Sequence, residues 1–392
     1  MANPSTGSTM SQDKLAAALV IEGQPYSYEQ LLHWSEAAEA NPLSENTLDV
    51  LRFCQQWLAG QTSFTINTSG STGIPKPIAI PREQMVASAR RTGQTLGLQP
   101  GQTALICMPT RYIAGRMMLV RGFVLGLTMT VVEPTSDPLR GLPPDAHFDF
   151  TAVIPLQLQT LLNGPPLYQT ILNGMQAILL GGGPVSPTLQ AQLQRITAPI
   201  YHTYGMTETI THIALRCLNG PQASEAFTPL AGVELGIDAR GCLNIRADIT
   251  QDQVIQTNDL VDLRPDGSFV WLGRWDNVIN SGGVKVQVEK VEQAIEKLLH
   301  ELDLQLGERR FFVGALPDDR LGETVTLVME GPSLAEPLEI ALRKNLQQSL
   351  LKYEVPRNFY YLAQFTETPT HKIDRKANLL RLSKPQADAK PF

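Results

Sequence analysis

Through the first two-thirds of the chain, short apolar runs alternate with longer stretches of helical spacing. Five β-rich runs begin near Ala104, Thr128, Phe150, Gln176 and Pro199, and the segments between them carry helix-like patterns, as in Pro187 to Arg195. Strands separated in this way predict βα units around a largely parallel sheet. After about Ala231 the texture changes. The runs Cys242 to Arg246, Val254 to Gln256 and Ser268 to Leu272, with Pro265-Asp266-Gly267 as a turn, predict a small antiparallel sheet.

A second change follows Trp275, where the pair Gly282 and Gly283 leads into a predicted helix over Glu289 to His300. Strands are expected over Phe311 to Leu316 and Thr324 to Met329, then a helix from about Leu334 to Leu350. The pattern therefore predicts an α/β protein. A large N-terminal domain over 1–275 would hold the mostly parallel βα sheet and the small β subdomain, and a smaller α+β domain would occupy 276–392.

Composition narrows the class. A chain of 392 residues exceeds what one hydrophobic core usually serves, and 43% hydrophobic with 18% charged residues is a globular balance. The net charge of -6 comes from 38 acidic and 32 basic residues with no long run of either sign, which argues against nucleic acid or an anionic membrane as partner. Cys54, Cys107, Cys217 and Cys242 lie too far apart for a zinc motif or a disulfide scaffold, and a reducing cytoplasm fits them. The N-terminal stretch Met1 to Lys14 lacks the apolar core of a signal peptide and is expected to fray. Met117 to Val132 is the most apolar stretch, but Arg121 interrupts it and it is shorter than the roughly 20 residues that span a bilayer.

Candidate chemistry begins at Thr68-Ser69-Gly70-Ser71-Thr72-Gly73-Ile74-Pro75-Lys76, after the alternating strand Ser63 to Asn67. Glycines let backbone N–H groups approach phosphate oxygens, hydroxyls donate further bonds, and lysine adds a compact positive charge. The Walker spacing is not met, because Pro75 stands where the second glycine would fall. Composition alone leaves a flexible polar loop open as an alternative.

The loop resembles the phosphate loop of adenylate-forming enzymes, and further motifs of that superfamily follow in order. Tyr204-Gly205-Met206-Thr207-Glu208 resembles the motif whose tyrosine stacks on adenine, whose threonine contacts the α-phosphate and whose glutamate holds magnesium. Gly181-Gly182-Gly183-Pro184 resembles the segment lying along adenine and the acyl pocket. Thr257-Asn258-Asp259 stands where the family's aspartate binds the ribose hydroxyls. In Gly273-Arg274-Trp275-Asp276 the resemblance makes Arg274 a ribose contact and Asp276 a hinge, about which a mobile C-terminal domain would rotate. Thr370-His371-Lys372-Ile373-Asp374-Arg375 is similar to the loop carrying the catalytic lysine, with His371 in place of glycine. Gly282 and Gly283 would shape the thiol tunnel.

The resemblance implies a ligase that uses ATP, magnesium and coenzyme A, with Lys76, Thr207, Glu208 and Lys372 as catalytic groups. Only a short tail follows Arg375, so a free thiol is expected rather than a carrier domain, and the region before Thr68 is expected to be a trimmed subdomain. Pro109 to Arg116 lies where acyl pockets begin and lacks the aspartate that grips an amino-acid amine. Arg111, Arg116 and Arg121 sit beside an apolar run, and an arginine in such a setting wants an anion. Steps of five turn about 140° apart on a helix, so the three cannot share one face. The segment Tyr112 to Met118 and the run Gly205 to Arg216 resemble short bacterial o-succinylbenzoate:CoA ligases, whose substrate has a second carboxylate. On that resemblance Arg116, Thr211 and His212 are the expected acyl-binding residues.

Overall fold

The computed structural model of the protein describes residues 19–38, 42–67, 77–302, 309–367 and 373–383. From its N-terminal side come the hairpin β1 (Leu19–Ile21) and β2 (Gln24–Tyr26), then α1 (Tyr28–Leu32), α2 (Glu45–Leu58) and a ribbon of β3 (Ser63–Asn67) with β4 (Pro77–Pro81). Ser27 starts α1 through a reciprocal cap, its hydroxyl accepting from Gln30 N while Gln30 Oε1 accepts from Ser27 N. Next are α3 (Arg82–Leu96), β5 (Thr103–Ile106), α4 (Ile113–Leu125), β6 (Thr128–Val131), β7 (Phe150–Val153), α5 (Pro155–Leu162), α6 (Pro166–Asn173), β8 (Ala177–Leu180), α7 (Pro187–Leu193), β9 (Ile200–Gly205), β10 (His212–Cys217) and β11 (Thr228–Pro229).

Nine of these strands form one sheet in the order β11-β10-β9-β8-β7-β5-β6-β1-β2. The pairs from β9 through β1 are parallel, and the antiparallel pairs are confined to the two edges. This is the expected α/β arrangement. Every residue of β7 and β8 is buried, because a parallel sheet covered on both faces reads as continuous apolar sequence. Helix α4 is buried on nearly all sides, with Met117, Met118, Leu119, Val120 and Arg121 all enclosed, and it packs against α3, β5 and β6. The apolar stretch noted above is thus a core helix running into β6. Among the described residues no helix is long and apolar enough to cross a membrane.

The small antiparallel sheet follows, ordered β12 (Glu234–Ile237), β13 (Cys242–Arg246), β14 (Ile255–Leu263) and β15 (Phe269–Arg274). Leu243, Ile245, Val261 and Phe269 from it join the same core cluster as α4 and the large sheet. Beyond Trp275 lie β16 (Ile279–Ser281), β17 (Val284–Val286), α8 (Val288–Leu302), β18 (Phe311–Asp318), β19 (Gly322–Glu330), α9 (Glu336–Ser349), β20 (Asn358–Leu362) and α10 (Arg375–Ser383). Gly282 at φ 60° and Gly283 at φ 81° make the two-residue turn between β16 and β17, where two left-handed residues suit a tight hairpin. These elements have a core of their own, in which Val291, Ile295 and Leu299 of α8 meet Leu342 and Leu346 of α9 and Val313 and Leu327 of the sheet.

The start of α4 depends on Gly115, since a Cβ there would overlap the backbone carbonyls of Met108 and Pro109, which cannot swing aside as a side chain could. Gly115→Ala should destabilise the protein by roughly 1–3 kcal/mol through overpacking, despite alanine's better helix propensity. A lowered melting temperature checks this; an unchanged or raised one would show that the Met108–Pro109 turn is not seated on α4.

Candidate active site

The polar loop Thr68, Ser69, Gly70, Ser71, Thr72 and Gly73, with Lys76, lies outside the described residues, as do His371 and Lys372. The residues that flank that loop, Asn67 and Pro77, are paired at the end of the β3–β4 ribbon.

Tyr204 and Gly205 end β9, and Thr207 and Glu208 begin a single 3-10 turn closed by Thr209, whose Oγ1 accepts from Met206 N at 3.0 Å. Glu208 is exposed. Immediately after it, Ile210 sits at φ 66°, ψ -50°, and Thr211 N donates to Thr209 O at 2.7 Å. This is a γ-turn of positive φ, costly for a β-branched residue by roughly 1–3 kcal/mol. The reversal turns the chain back at Thr211, and His212 opens β10, buried.

The Tyr204 hydroxyl donates to Asp259 Oδ2 at 2.6 Å, and burial together with that carboxylate drives its pKa well above the usual phenol value. Tyr204 also meets Phe269 edge-on, with centroids 5.1 Å apart. Asp259 N donates to Thr257 Oγ1 at 3.0 Å, and that hydroxyl donates to Leu243 O at 2.7 Å. Arg274 opposes Asp259 across β14 and β15, with Nη1 3.9 Å from Oδ1, while its Nε and Nη2 each donate to Asp276 at 2.9 Å. That fork holds the Asp276 carboxyl below its ordinary pKa. Four of the residues singled out in the sequence, Tyr204, Asp259, Arg274 and Asp276, therefore form one connected group.

Gly181, Gly182 and Gly183 follow β8, with Gly182 at φ 80°. Gly183 O lies 3.3 Å from His202 Nε2, and Arg216 Nη2 lies 3.3 Å from His202 Nδ1. Because Arg216 only donates, Nδ1 accepts and Nε2 carries the proton given to Gly183. Burial and Arg216 push His202 down from 6.5 to about 4.

The three arginines separate clearly. Arg111 is exposed and pairs with Glu45 at 3.5 Å. Arg116 donates through Nε to Thr110 O at 3.2 Å and through Nη1 to Thr65 O at 3.0 Å, with its guanidinium over Phe53. Arg121 is 2% exposed. Its Nη2 donates to Thr211 Oγ1 at 3.0 Å, Nη1 touches Met118 Sδ at 3.6 Å, and Nε has no partner. Burial pushes it down to about 10, with no carboxylate among the described residues to offset the loss of hydration. Thr211 and His212 thus gather at Arg121, and Arg116 is engaged elsewhere. His212 is buried and reaches Thr92 of α3, which sequence patterning did not single out, and Arg91 beside it is buried too, donating to Ala231 O and Asp248. Burial, Arg121 and Arg91 all hold His212 neutral. Gly282 and Gly283 stand apart in their hairpin, Gly282 against Leu321 and Tyr353. Among the described residues no cluster of three or more His, Cys, Asp or Glu could hold a metal ion.

The profile of the AMP-binding enzyme family matches residues 5–241. The chain belongs to that family. An acyl-CoA synthetase (AMP-forming)/AMP-acid ligase II-like protein from Dyadobacter fermentans, whose structure is solved, is 42% identical, with a TM-score of 0.58 over 88% of this chain and 97% of that one. The 2-succinylbenzoate--CoA ligase of Bacillus cytotoxicus is 27% identical over 341 residues, 79% of this chain and 68% of the relative. O-succinylbenzoate coenzyme A synthetase from Bacillus subtilis, solved with ATP and magnesium, is 21% identical and shares the fold, with a TM-score of 0.65 over 80% of this chain and 68% of that one. The protein is an AMP-forming ligase of the α/β type described above.

His202 sets a pH dependence. Unfolded histidine protonates near 6.5, whereas folded His202 stays neutral to about 4, so the unfolded chain binds the extra proton throughout that window. Stability therefore falls as pH drops through it. His202→Gln should flatten part of the decline in melting temperature between pH ~6.5 and ~4. Identical slopes for the two proteins would contradict the shift.

Proposed function

We propose that the protein joins o-succinylbenzoate to coenzyme A at the expense of ATP, through an acyl-adenylate. A carboxylate is a poor electrophile because its leaving group would be oxide. Attack of a carboxylate oxygen on the α-phosphorus expels pyrophosphate and leaves AMP as a good leaving group; the thiolate then attacks the acyl carbon and AMP departs.

Within this reading, Asp259 and Arg274 take the ribose, Tyr204 and Gly181 to Gly183 flank adenine, and Thr207 meets the α-phosphate. The loop Thr68 to Gly73 with Lys76 takes the β- and γ-phosphates. Lys372 neutralises charge between carboxylate and α-phosphate. The C-terminal part, 276–392, turns about Asp276 after adenylation, withdrawing Lys372 and closing the thiol tunnel that Gly282 and Gly283 help to shape. Glu208 suits magnesium, since it is an exposed carboxylate and such an ion needs only one or two of these when phosphates and waters complete its shell. When bound, the ion would neutralise the phosphate oxygens.

One observation carries the choice of acid. Arg121 is enclosed in apolar surroundings beside Thr211, three residues past Glu208, with an unpartnered Nε and no carboxylate. An unpaired buried guanidinium is costly, and an anion brought by the substrate removes that cost. We therefore assign the second carboxylate of o-succinylbenzoate to Arg121, and leave Arg116 as a brace between Thr110 and Thr65.

A panel of acids with ATP and coenzyme A tests this. Native protein should turn over o-succinylbenzoate with far higher kcat/KM than benzoate or a medium-chain fatty acid. Arg121→Leu should lower kcat/KM for o-succinylbenzoate by on the order of 100-fold while sparing benzoate, as expected when one partner of a buried charge pair is removed. Equal use of benzoate and o-succinylbenzoate by the native protein would overturn the dicarboxylate reading.

A further inference from the structure

Arg121 does not stand alone, and the hydrogens around it can be assigned one by one. Thr92 Oγ1 lies 3.1 Å from Ser88 O, one helical turn back on α3. A carbonyl only accepts, so the single hydroxyl hydrogen of Thr92 points to Ser88. His212 Nε2, 3.1 Å from the same Thr92 oxygen, must then be the donor. His212 is buried between the guanidinium groups of Arg91 and Arg121, the charged groups that act on it, which favours a neutral ring. With Nε2 protonated, Nδ1 accepts, and its neighbour is Thr211 Oγ1 at 3.2 Å. Thr211 gives its hydrogen to Nδ1 and takes one from Arg121 Nη2 at 3.0 Å. Along these four bonds each donor meets one acceptor, and the chain runs in one direction from Arg121 Nη2 to Ser88 O, leaving Arg121 Nε unpartnered.

We propose that His212, fixed as its Nε2–H tautomer by Thr92, is a positioning residue that holds Arg121 through Thr211 for an anionic group on the acyl substrate. This rests on the assignment of the second carboxylate to Arg121. The polarity has a consequence for specificity. The Thr211 hydrogen is committed to His212, so this corner offers the substrate only the N–H groups of Arg121, and it selects an acceptor-only, negatively charged group. The opposite tautomer would require Thr92 to leave Ser88 and would free the Thr211 hydrogen, making the corner tolerant of neutral groups.

The experiment uses native full-length protein with nitrogen-labelled histidine, and NMR reads which ring nitrogen of His212 carries hydrogen. The expected result is a neutral Nε2–H ring that does not titrate between pH ~5 and ~8. A second arm compares His212→Asn, whose amide oxygen can replace the Nδ1 acceptor, with His212→Gln, which reaches toward Thr92 and loses the Thr211 link. His212→Asn should stay within a few-fold of native KM for o-succinylbenzoate, and His212→Gln should raise that KM about tenfold with little change in kcat. An Nδ1–H or titrating His212 overturns the relay, and this arm needs no variant to fold. Equal KM effects of the two variants also overturn it. An Nε2–H ring in a protein that does not prefer o-succinylbenzoate would instead overturn the substrate assignment and leave the relay standing.

Discussion

One hydrogen bond, from the Tyr204 hydroxyl to Asp259 at 2.6 Å, ties the end of β9 in the large sheet to β14 in the small one. A bond to an ionised acceptor contributes roughly 1.5–3 kcal/mol, more than most single contacts at a joint between sheets. The same carboxylate faces Arg274, whose fork closes on Asp276 at the start of the C-terminal elements. The proposed nucleotide-facing acid and the proposed hinge acid thus share one arginine. Arg274 in this arrangement favours Asp276, at 2.9 Å against 3.9 Å for Asp259. A movement of Asp276 would release the fork toward Asp259, which is how the proposed hinge would communicate with the proposed ribose contact.

The other half of the candidate site depends on strain. The positive-φ turn at Ile210 reverses the chain directly after Glu208 and delivers Thr211 and His212 to Arg121 and Thr92. Two features that each cost free energy meet there: a β-branched residue at positive φ and a buried guanidinium without a carboxylate among the described residues. Such costs persist where the surrounding structure holds them in place, and here α3, α4 and β10 do so.

Much of the fold was legible from patterning for a physical reason. The strands β5, β7 and β8 are buried at nearly every position and so read as apolar runs, and α8 buries one stripe, Val288, Val291, Ile295 and Leu299. The three-residue strands β1 and β2 are too short to show a period, and β10 merges with the motif before it. Within the candidate site, Tyr204, Asp259, Arg274 and Asp276 were legible as motif residues. The choice between Arg116 and Arg121 was not, because it depends on how α4 is rotated against the sheet, which spacing within one helix does not specify. Arg91 and Thr92 meet His212 only through tertiary packing, about 120 positions along the chain.

The central claim is that a carboxylate attacks the α-phosphorus of ATP. Supplying o-succinylbenzoate with heavy oxygen in its carboxylates, together with ATP and coenzyme A, tests it directly. The account predicts that AMP forms and carries one heavy oxygen atom while pyrophosphate carries none. Release of ADP, or label appearing in inorganic phosphate in place of AMP, would contradict an acyl-adenylate.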